Sequence, residues 1–293
     1  MRMSLPWRHA LLALAVVAVW GSNFVVIKIA LAALPPLTLA ALRFALAFAP
    51  AALFIARPAV PWRLLAAYGL LIGAGQFGLL FVAMTRHITP GLASLVVQTQ
   101  VFFTIALATL AQGERLRARQ GAALVLAGAG LVLIGVRGGG EATPLGLALV
   151  LGAALAWAGG NTVSRRAGRV NMLAVVVWSS VFAVPPLLAL SLLFEGPQAV
   201  AAGLARADAG TWAAVAWQAL GNSLFGYAAW GWLLARHPAA TVAPTALLVP
   251  VFGMGASAWW LHEPLPAWKL GAAALVVGGL ALNLWPGRAA ARH

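Results

Sequence analysis

The chain contains no cysteine and only five acidic residues, Glu114, Glu141, Glu195, Asp208 and Glu263. Without cysteine there is no disulfide framework, no thiolate nucleophile and no Cys-ligated metal, so the redox compartment leaves no mark on the sequence. Histidine occurs only as His9, His87, His237, His262 and His293, each at an expected loop or end. With so few ligands, neither a metal nor any other cofactor is expected. The only lysines are Lys28 and Lys269, and neither stands in the Gly-rich Lys-Ser/Thr context that cradles nucleotide phosphates. No ATPase domain is present, and no connection exceeds about 16 residues. An intramembrane enzyme would need an acid, base, nucleophile or metal at depth. Catalytic residues are therefore expected to be none.

What the chain has is apolar surface: 63% of its 293 residues are hydrophobic and 8% are charged. A soluble domain cannot be clothed with that balance, so membrane lipid is the expected surroundings. The formal net charge of +14 does not imply a nucleic-acid partner, because that requires a contiguous basic surface. Here the arginines come in twos and threes between apolar runs.

Runs of about 20 apolar residues, enough to cross a hydrocarbon core of about 30 Å, lie near 10–32, 37–56, 64–85, 90–112, 119–136, 145–164, 173–194, 210–235, 239–261 and 268–286. The fold class is thus an all-α integral membrane protein of ten transmembrane helices. Arg2 and Arg8 ahead of the first run have the look of a signal peptide, but its full length and its Lys28 suit a first span. Thirteen basic residues fall in the connections on the N-terminal side, against Arg86, Arg137, Arg206 and Lys269 on the other. This skew places both termini in the cytoplasm. Lys28 and Arg43 remain inside spans.

The Gly-rich segment Arg137–Pro144 divides the chain into residues 1–140 and 141–293. Matches run in order across it. Trp20 with Lys28 corresponds to Trp157 with Arg165, and Gly73–Gly78 to Gly221–Gly226. Arg86-His87 corresponds to Arg236-His237, Glu114-Arg-Leu to Glu263-Pro-Leu, and Gly121 with Gly128 to Gly271 with Gly278. Five matches at a nearly constant offset indicate an internal repeat. With five spans in each half, the second half must be inverted relative to the first, an architecture that puts a site near the midplane between halves.

These residues resemble the EamA-type members of the drug/metabolite transporter superfamily. The resemblance rests on Trp20-Gly-Ser-Asn-Phe with Lys28, Pro35-Pro36 followed by Leu42-Arg43-Phe44, and Gly91-Leu-Ala-Ser-Leu. It rests also on Gly113-Glu114-Arg115, Trp157 with Asn161, and Leu248-Val-Pro250 with Glu263. Within that family the chain is most similar to bacterial inner-membrane exporters of cysteine and O-acetylserine or of aromatic amino acids. The resemblance implies export of an amino acid or close relative and leaves the side chain open.

Polar groups in a span cost free energy unless satisfied, so those at midplane depth are the candidates for a site. Depth selects Asn23, Gln76, Gln98, Gln100, Asn161, Asn222 and Tyr227, with Ser223 beside them. Amides can hold both an ammonium and a carboxylate; interhelical hydrogen bonding is the competing reading. Gln98 and Gln100, about 200° apart on an α-helix, are expected to divide these roles. Trp20 and Trp157 occupy repeat-equivalent positions where an indole stacks on a substrate or packs within the bundle. Trp178, Trp217 and Trp230 read more as packing. Lys28 and Arg43 either snorkel to headgroups or, for Arg43, attract a carboxylate. Pro244 and Pro250 mark a bend in the ninth span, static or gating, and Pro185-Pro186 read likewise. Gly69 and Gly73, and the series Gly121, Gly128 and Gly135, are expected to bring helices close. Glu114 and Glu263 close equivalent helices and read as structural.

The reading is an inner-membrane exporter of amino acids and related metabolites, moving them by alternating access without ion coupling. An exporter of another small metabolite or drug, a lipid-intermediate flippase and a structural membrane subunit are the alternatives.

Overall fold

The computed structural model describes residues 5–112, 118–168, 170–237 and 239–284; Glu114 and Trp285 lie outside them. Among the described residues the chain is almost wholly helical, its one piece of β-pairing an isolated bridge between Ile88 and Ala142. Nine helices there are long and apolar enough to cross a membrane: Trp7–Ala30, Pro36–Leu53, Trp62–Arg86, Pro90–Leu107, Ala118–Arg137, Pro144–Arg166, Met172–Phe194, Ala243–Leu261 and Ala267–Leu284. The run expected at 210–235 is helical from Ala209 to Arg236. Its polar Gln218, Asn222 and Ser223 leave it less apolar than the other nine. Counting this one eighth, the helices are named below by their order in the chain. A short extra helix, Pro197–Arg206, joins the seventh to the eighth.

Local chemistry sets the helix starts. Pro36, Pro90 and Pro144 stand in first turns, where the missing N–H costs nothing. Thr143 caps the sixth helix by accepting from Gly146 N at 3.0 Å, and Asn171 caps the seventh from Leu173 N at 3.0 Å, each cap worth about 1 kcal/mol. Asp208 caps the eighth; the Thr211 amide and hydroxyl hold its carboxyl below the usual carboxylate range.

Apart from the 3-10 turn Ala51–Leu53 that ends the second helix, regular winding fails inside four helices. The third and eighth widen to π-helix over Leu70–Gly78 and Trp217–Phe225, nine residues each. The fourth and ninth tighten to 3-10 helix over Val97–Thr99 and Ala243–Leu248. Such interruptions inside long helices often mark functional sites.

The first helix packs on the eighth and ninth, the sixth on the third and fourth, the second on the seventh, the fifth on the tenth, and the fourth on the ninth. Exchanging the first five helices for the last five returns the same set of partners. Lipid offers no hydrophobic drive between helices, so contact depends on close approach at small residues. A Cβ added at Gly130 would lie 2.7 Å from Val276, and one at Gly279 would lie 2.7 Å from the carbonyl of Ala123. Gly69 and Gly73 abut Ser179 and Ala183 of the seventh helix, as expected. Gly121 and Gly128 do not pack: a Cβ there would meet nothing within 4 Å, and at Gly135 only Leu147 at 3.8 Å. The three share one face of the fifth helix, and the tenth lies against a different one.

One end of the bundle is tied by charge. Lys28 does not snorkel; its Nζ donates to the carbonyls of Met84 and Thr85 at 3.0 Å each, closing the C-terminus of the third helix. Lys269, expected as a loop charge, is fully buried. It pairs with Glu141 of the central linker, lies 3.7 Å from Glu263 and donates to Pro264 O at 2.9 Å. Glu263 in turn accepts from Gly91 N at 3.4 Å, at the start of the fourth helix. Burial pushes the Glu263 carboxyl above its ordinary value, partly offset by Lys269. Glu195, just past the seventh helix, clamps the start of the second helix, accepting from Leu37 N at 2.6 Å and Thr38 N at 3.1 Å. At the His9 end, His9 Nδ1 lies 2.6 Å from His237 Nε2, joining the first helix to the turn after the eighth.

Candidate functional site

The irregular stretches border one cavity of about 360 Å³. The π-helical turns contribute Gln76, Phe77 and Asn222, and the 3-10 turns contribute Val97, Gln98 and Ala246. Nine of the ten candidates from the sequence line it: Trp20 and Asn23 from the first helix, Gln76 from the third, Gln98 and Gln100 from the fourth, Trp157 and Asn161 from the sixth, and Asn222 and Tyr227 from the eighth; Ser223 borders a second, smaller cavity instead.

Two groups of polar atoms behave differently. Asn161 Nδ2 donates to Gln100 Oε1 at 2.9 Å and to Thr104 Oγ1 at 3.2 Å, tying the sixth helix to the fourth. Asn23 Oδ1 and Gln76 Oε1, by contrast, are buried acceptors with no partner. The expected division between Gln98 and Gln100 does not occur, since both line the cavity. The fourth helix winds at about three residues per turn there, which brings positions two apart to about 120° rather than about 160° of each other.

The aromatic wall centres on Trp20. Its Nε1 donates to Asn222 O at 3.2 Å, and its ring lies 5.8 Å from Tyr227 and 5.2 Å from Trp230 between centroids. Trp230, expected to pack, therefore belongs to the site, as do Tyr68, Ser164 and Met172. Tyrosine was the available signal for one of them: the chain has two, and both line the cavity. The other indoles do pack or face outward. Trp178 donates to Ile55 O at 2.9 Å beside Phe48 and Trp62, and Trp217 is 41% exposed on the outer surface.

Pro244 lies in the 3-10 stretch of the ninth helix, and Pro250 in the first turn of the α-helix that begins at Val249. Pro250 therefore interrupts no α-helical bond, contrary to expectation, because the helix restarts just ahead of it. Ala246 and Val249, between the two prolines, both line the cavity. Pro185 and Pro186 do lie inside the seventh helix.

Arg43 neither snorkels nor faces the main cavity. It is 1% exposed, its Nη2 donates to Ser223 Oγ at 3.0 Å, and its Cζ stands 3.6 Å from the Phe77 ring centroid. Among the described residues, neither a carboxylate nor a histidine lines the main cavity. What remains is a chamber of amides and indoles, able to hold a small neutral or zwitterionic molecule by hydrogen bonds and ring contact.

A helical bundle of this kind, with a polar chamber shared by helices from both ends of the chain, is the architecture of a small-molecule membrane transporter. The chain is a member of the EamA-like transporter family, whose model matches residues 7–136 and again 144–285. It is 43% identical, over 95% of each chain, to a protein of Salmonella typhimurium named "probable amino-acid metabolite efflux pump", and 40% identical, over the same shares, to one of that name from Escherichia coli. A "probable terminal-alkyne amino-acid exporter" of Streptantibioticus cattleyicolor is 27% identical over 91% of this chain and 90% of its own. A solved crystal structure shares the fold at TM-score 0.63 and 24% identity, over 95% of this chain and 97% of that one. The protein is a multi-pass bacterial inner-membrane protein.

Proposed function

We propose that the protein exports amino acids and related metabolites across the inner membrane by alternating access, with the nine predicted residues forming its substrate site. The observation that carries this is the cavity itself. Its volume of about 360 Å³ falls at the lower end of the ~300–1,000 Å³ typical of small-molecule sites. Its amides supply both acceptors for an ammonium and donors for a carboxylate, and its indoles supply a surface for an apolar side chain. The names of the relatives from Salmonella and Escherichia point the same way.

In this reading ten helices cross the membrane as two inverted five-helix repeats, residues 1–140 and 141–293, with both termini cytoplasmic. The exchange symmetry of helix partners and the paired π-helical and 3-10 stretches support the repeat. Under that orientation the Lys28 end is periplasmic and closed by the Lys269 cluster. The cavity wall reaches Ser164, Met172 and Leu234, toward the cytoplasmic ends of the sixth, seventh and eighth helices, as an inward-facing state requires. Rocking of the halves exposes the site to the other side, with the Pro244–Pro250 segment as the moving part of the ninth helix. A cavity wall without titratable carboxylate or imidazole favours facilitated movement down the substrate gradient.

The test is counterflow of labelled amino acids into proteoliposomes without an ion gradient, comparing wild type with Gln76→Ala and Trp157→Ala. Saturable counterflow of some amino acids, lost in the variants, is the expected result. Folded protein that exchanges none of them would overturn the assignment and favour a more apolar metabolite, which the Trp20, Trp157 and Trp230 rings also suit. Transport that follows an imposed pH gradient and ignores the substrate gradient would overturn the uncoupled mechanism alone.

A further inference from the structure

Beside the main cavity lies a second, far smaller one, about 10 Å³, roughly the room that a single water-sized atom occupies. The second, third, seventh and eighth helices meet around it, and Arg43 is its one charged group. Nε and Nη1 of that guanidinium are buried and have no partner. The described carboxylates are engaged elsewhere: Glu141 and Glu263 at Lys269, Glu195 at the second helix, Asp208 at Thr211.

A fully buried cation with two unpaired nitrogens is costly, and a face-on ring and one hydroxyl do not replace its hydration. Such a group is retained when something else completes it. The hydroxyls at the small cavity define what that something is. Ser179 and Ser180 donate to Val176 O at 3.1 and 2.7 Å, and Ser223 donates to Gln218 O at 3.0 Å. The Tyr68 hydroxyl donates to that of Tyr227, so the donors left to meet a ligand are the guanidinium N–H groups, with the hydroxyl of Tyr227 at the same wall. Donors without an acceptor, carrying net positive charge, call for a small anion.

We infer that Arg43 anchors a monovalent anion in this second cavity, either one carboxylate oxygen of the transported molecule or a free inorganic anion. Tyr68, Phe77 and Tyr227 border both cavities, so a single layer of rings separates Arg43 from the chamber. A carboxylate reaches the guanidinium from the chamber when those rings turn aside. A free anion sits behind them and supplies the countercharge that lets Arg43 remain ionised at this depth.

The existence of the site does not depend on the proposed function; the carboxylate source does, and the experiment keeps the two apart. Chloride and acetate are titrated, at constant ionic strength with gluconate, against purified full-length wild type and Arg43→Gln, reading the melting midpoint and tryptophan fluorescence. A saturable response in wild type that is absent in Arg43→Gln is expected. No saturable response to either anion, or the same response in both proteins, overturns the inference. If Arg43→Gln fails to fold, Arg43→Lys takes its place: its single ammonium is expected to weaken the response at least tenfold, and an unchanged response overturns the inference equally. Counterflow then separates the sources. For a substrate carboxylate, amino acids outcompete their amides in wild type and lose that preference in the variant, irrespective of chloride. For a free anion, wild-type counterflow falls when gluconate replaces chloride, and the acid-to-amide preference does not change.

Discussion

The indole of Trp20 lies against the bare backbone of Gly226, so close that a Cβ at that glycine would collide with Trp20 Nε1. The same Nε1 donates to Asn222 O at 3.2 Å, one turn earlier in the eighth helix. A residue without a side chain is thus what seats the ring at the cavity wall, where it meets Tyr227 and Trp230. Gly226→Ala is expected to push the indole aside and leave the helix itself intact, since alanine favours helix. Losing an aromatic contact worth about 1 kcal/mol reduces apparent substrate affinity by about fivefold. Counterflow concentration curves with a parallel melting measurement check this; unchanged affinity would show that Trp20 does not touch the substrate.

The partnered and unpartnered amides give opposite expectations. Gln76→Ala and Asn23→Ala each remove an acceptor that satisfies nothing in the empty protein. Stability should therefore hold or rise slightly, while loss of a hydrogen bond to a charged ammonium, about 1.5–3 kcal/mol, weakens binding about 10- to 100-fold. Asn161→Ala instead removes two interhelical bonds. At about 0.6 kcal/mol each, the melting midpoint should fall by about 2–5 °C. Melting curves and counterflow on the three proteins decide it, and a drop in stability for Gln76→Ala would assign that residue to packing.

Much of this site was legible in the sequence because polar groups in apolar runs have few reasons to be there. Depth picked out seven residues that share the chamber, and repeat-equivalent position added Trp20 and Trp157; Ser223, chosen by the same depth, borders the smaller cavity instead. Tyr68 and Trp230 escaped because rings are at home anywhere in a bundle, and only the facing helix tells which side of the ring is empty. The pair Gln98 and Gln100 was divided wrongly because an α-helical pitch was assumed where the chain winds as 3-10 helix. Gly121 and Gly128 were chosen over Gly130 and Gly279 for a related reason: spacing shows that a face exists, not which helix it meets. Lys269 looked like a loop charge because its partners Glu141 and Glu263 stand more than a hundred residues apart.

Lys269 is fully buried between those two carboxylates, so Lys269→Met leaves both without their cation. Removing one partner of a buried pair typically costs about 3–5 kcal/mol. Because the cluster joins the linker, the start of the fourth helix and the turn between the ninth and tenth, that cost falls on the state in which this end is closed. The equilibrium then moves toward opening at the Lys28 end. The absence of native cysteine allows a single reporter, Ile27→Cys in the cavity wall. Labelling of that cysteine by a membrane-impermeant maleimide from the periplasmic side should accelerate at least about tenfold in the Lys269→Met background. An equal rate in both backgrounds would show that the cluster stabilises the fold without bearing on the closed state.

Glu263 gives the same closure a pH dependence whose sign can be worked out. Burial raises its carboxyl above the ordinary 4.5 while Lys269 pulls it down, and burial is the larger effect. Opening exposes Glu263 to water and returns it toward 4.5, so the closed state holds the proton more tightly. By linkage, its contribution to closure is fully present below 4.5 and is lost as pH rises through the raised closed-state value. External acidification should therefore slow labelling of the Ile27→Cys reporter. Maleimide chemistry itself slows in acid, so the quantity to compare is the labelling rate relative to the same reporter carrying Glu263→Gln, which keeps the acceptor from Gly91 N but cannot titrate. The ratio of the Glu263 rate to the Gln rate should rise as pH is raised from 4.5 toward neutrality. A ratio flat across that window would mean that Lys269 holds Glu263 ionised throughout, and that closure at this end responds to charge pairing alone.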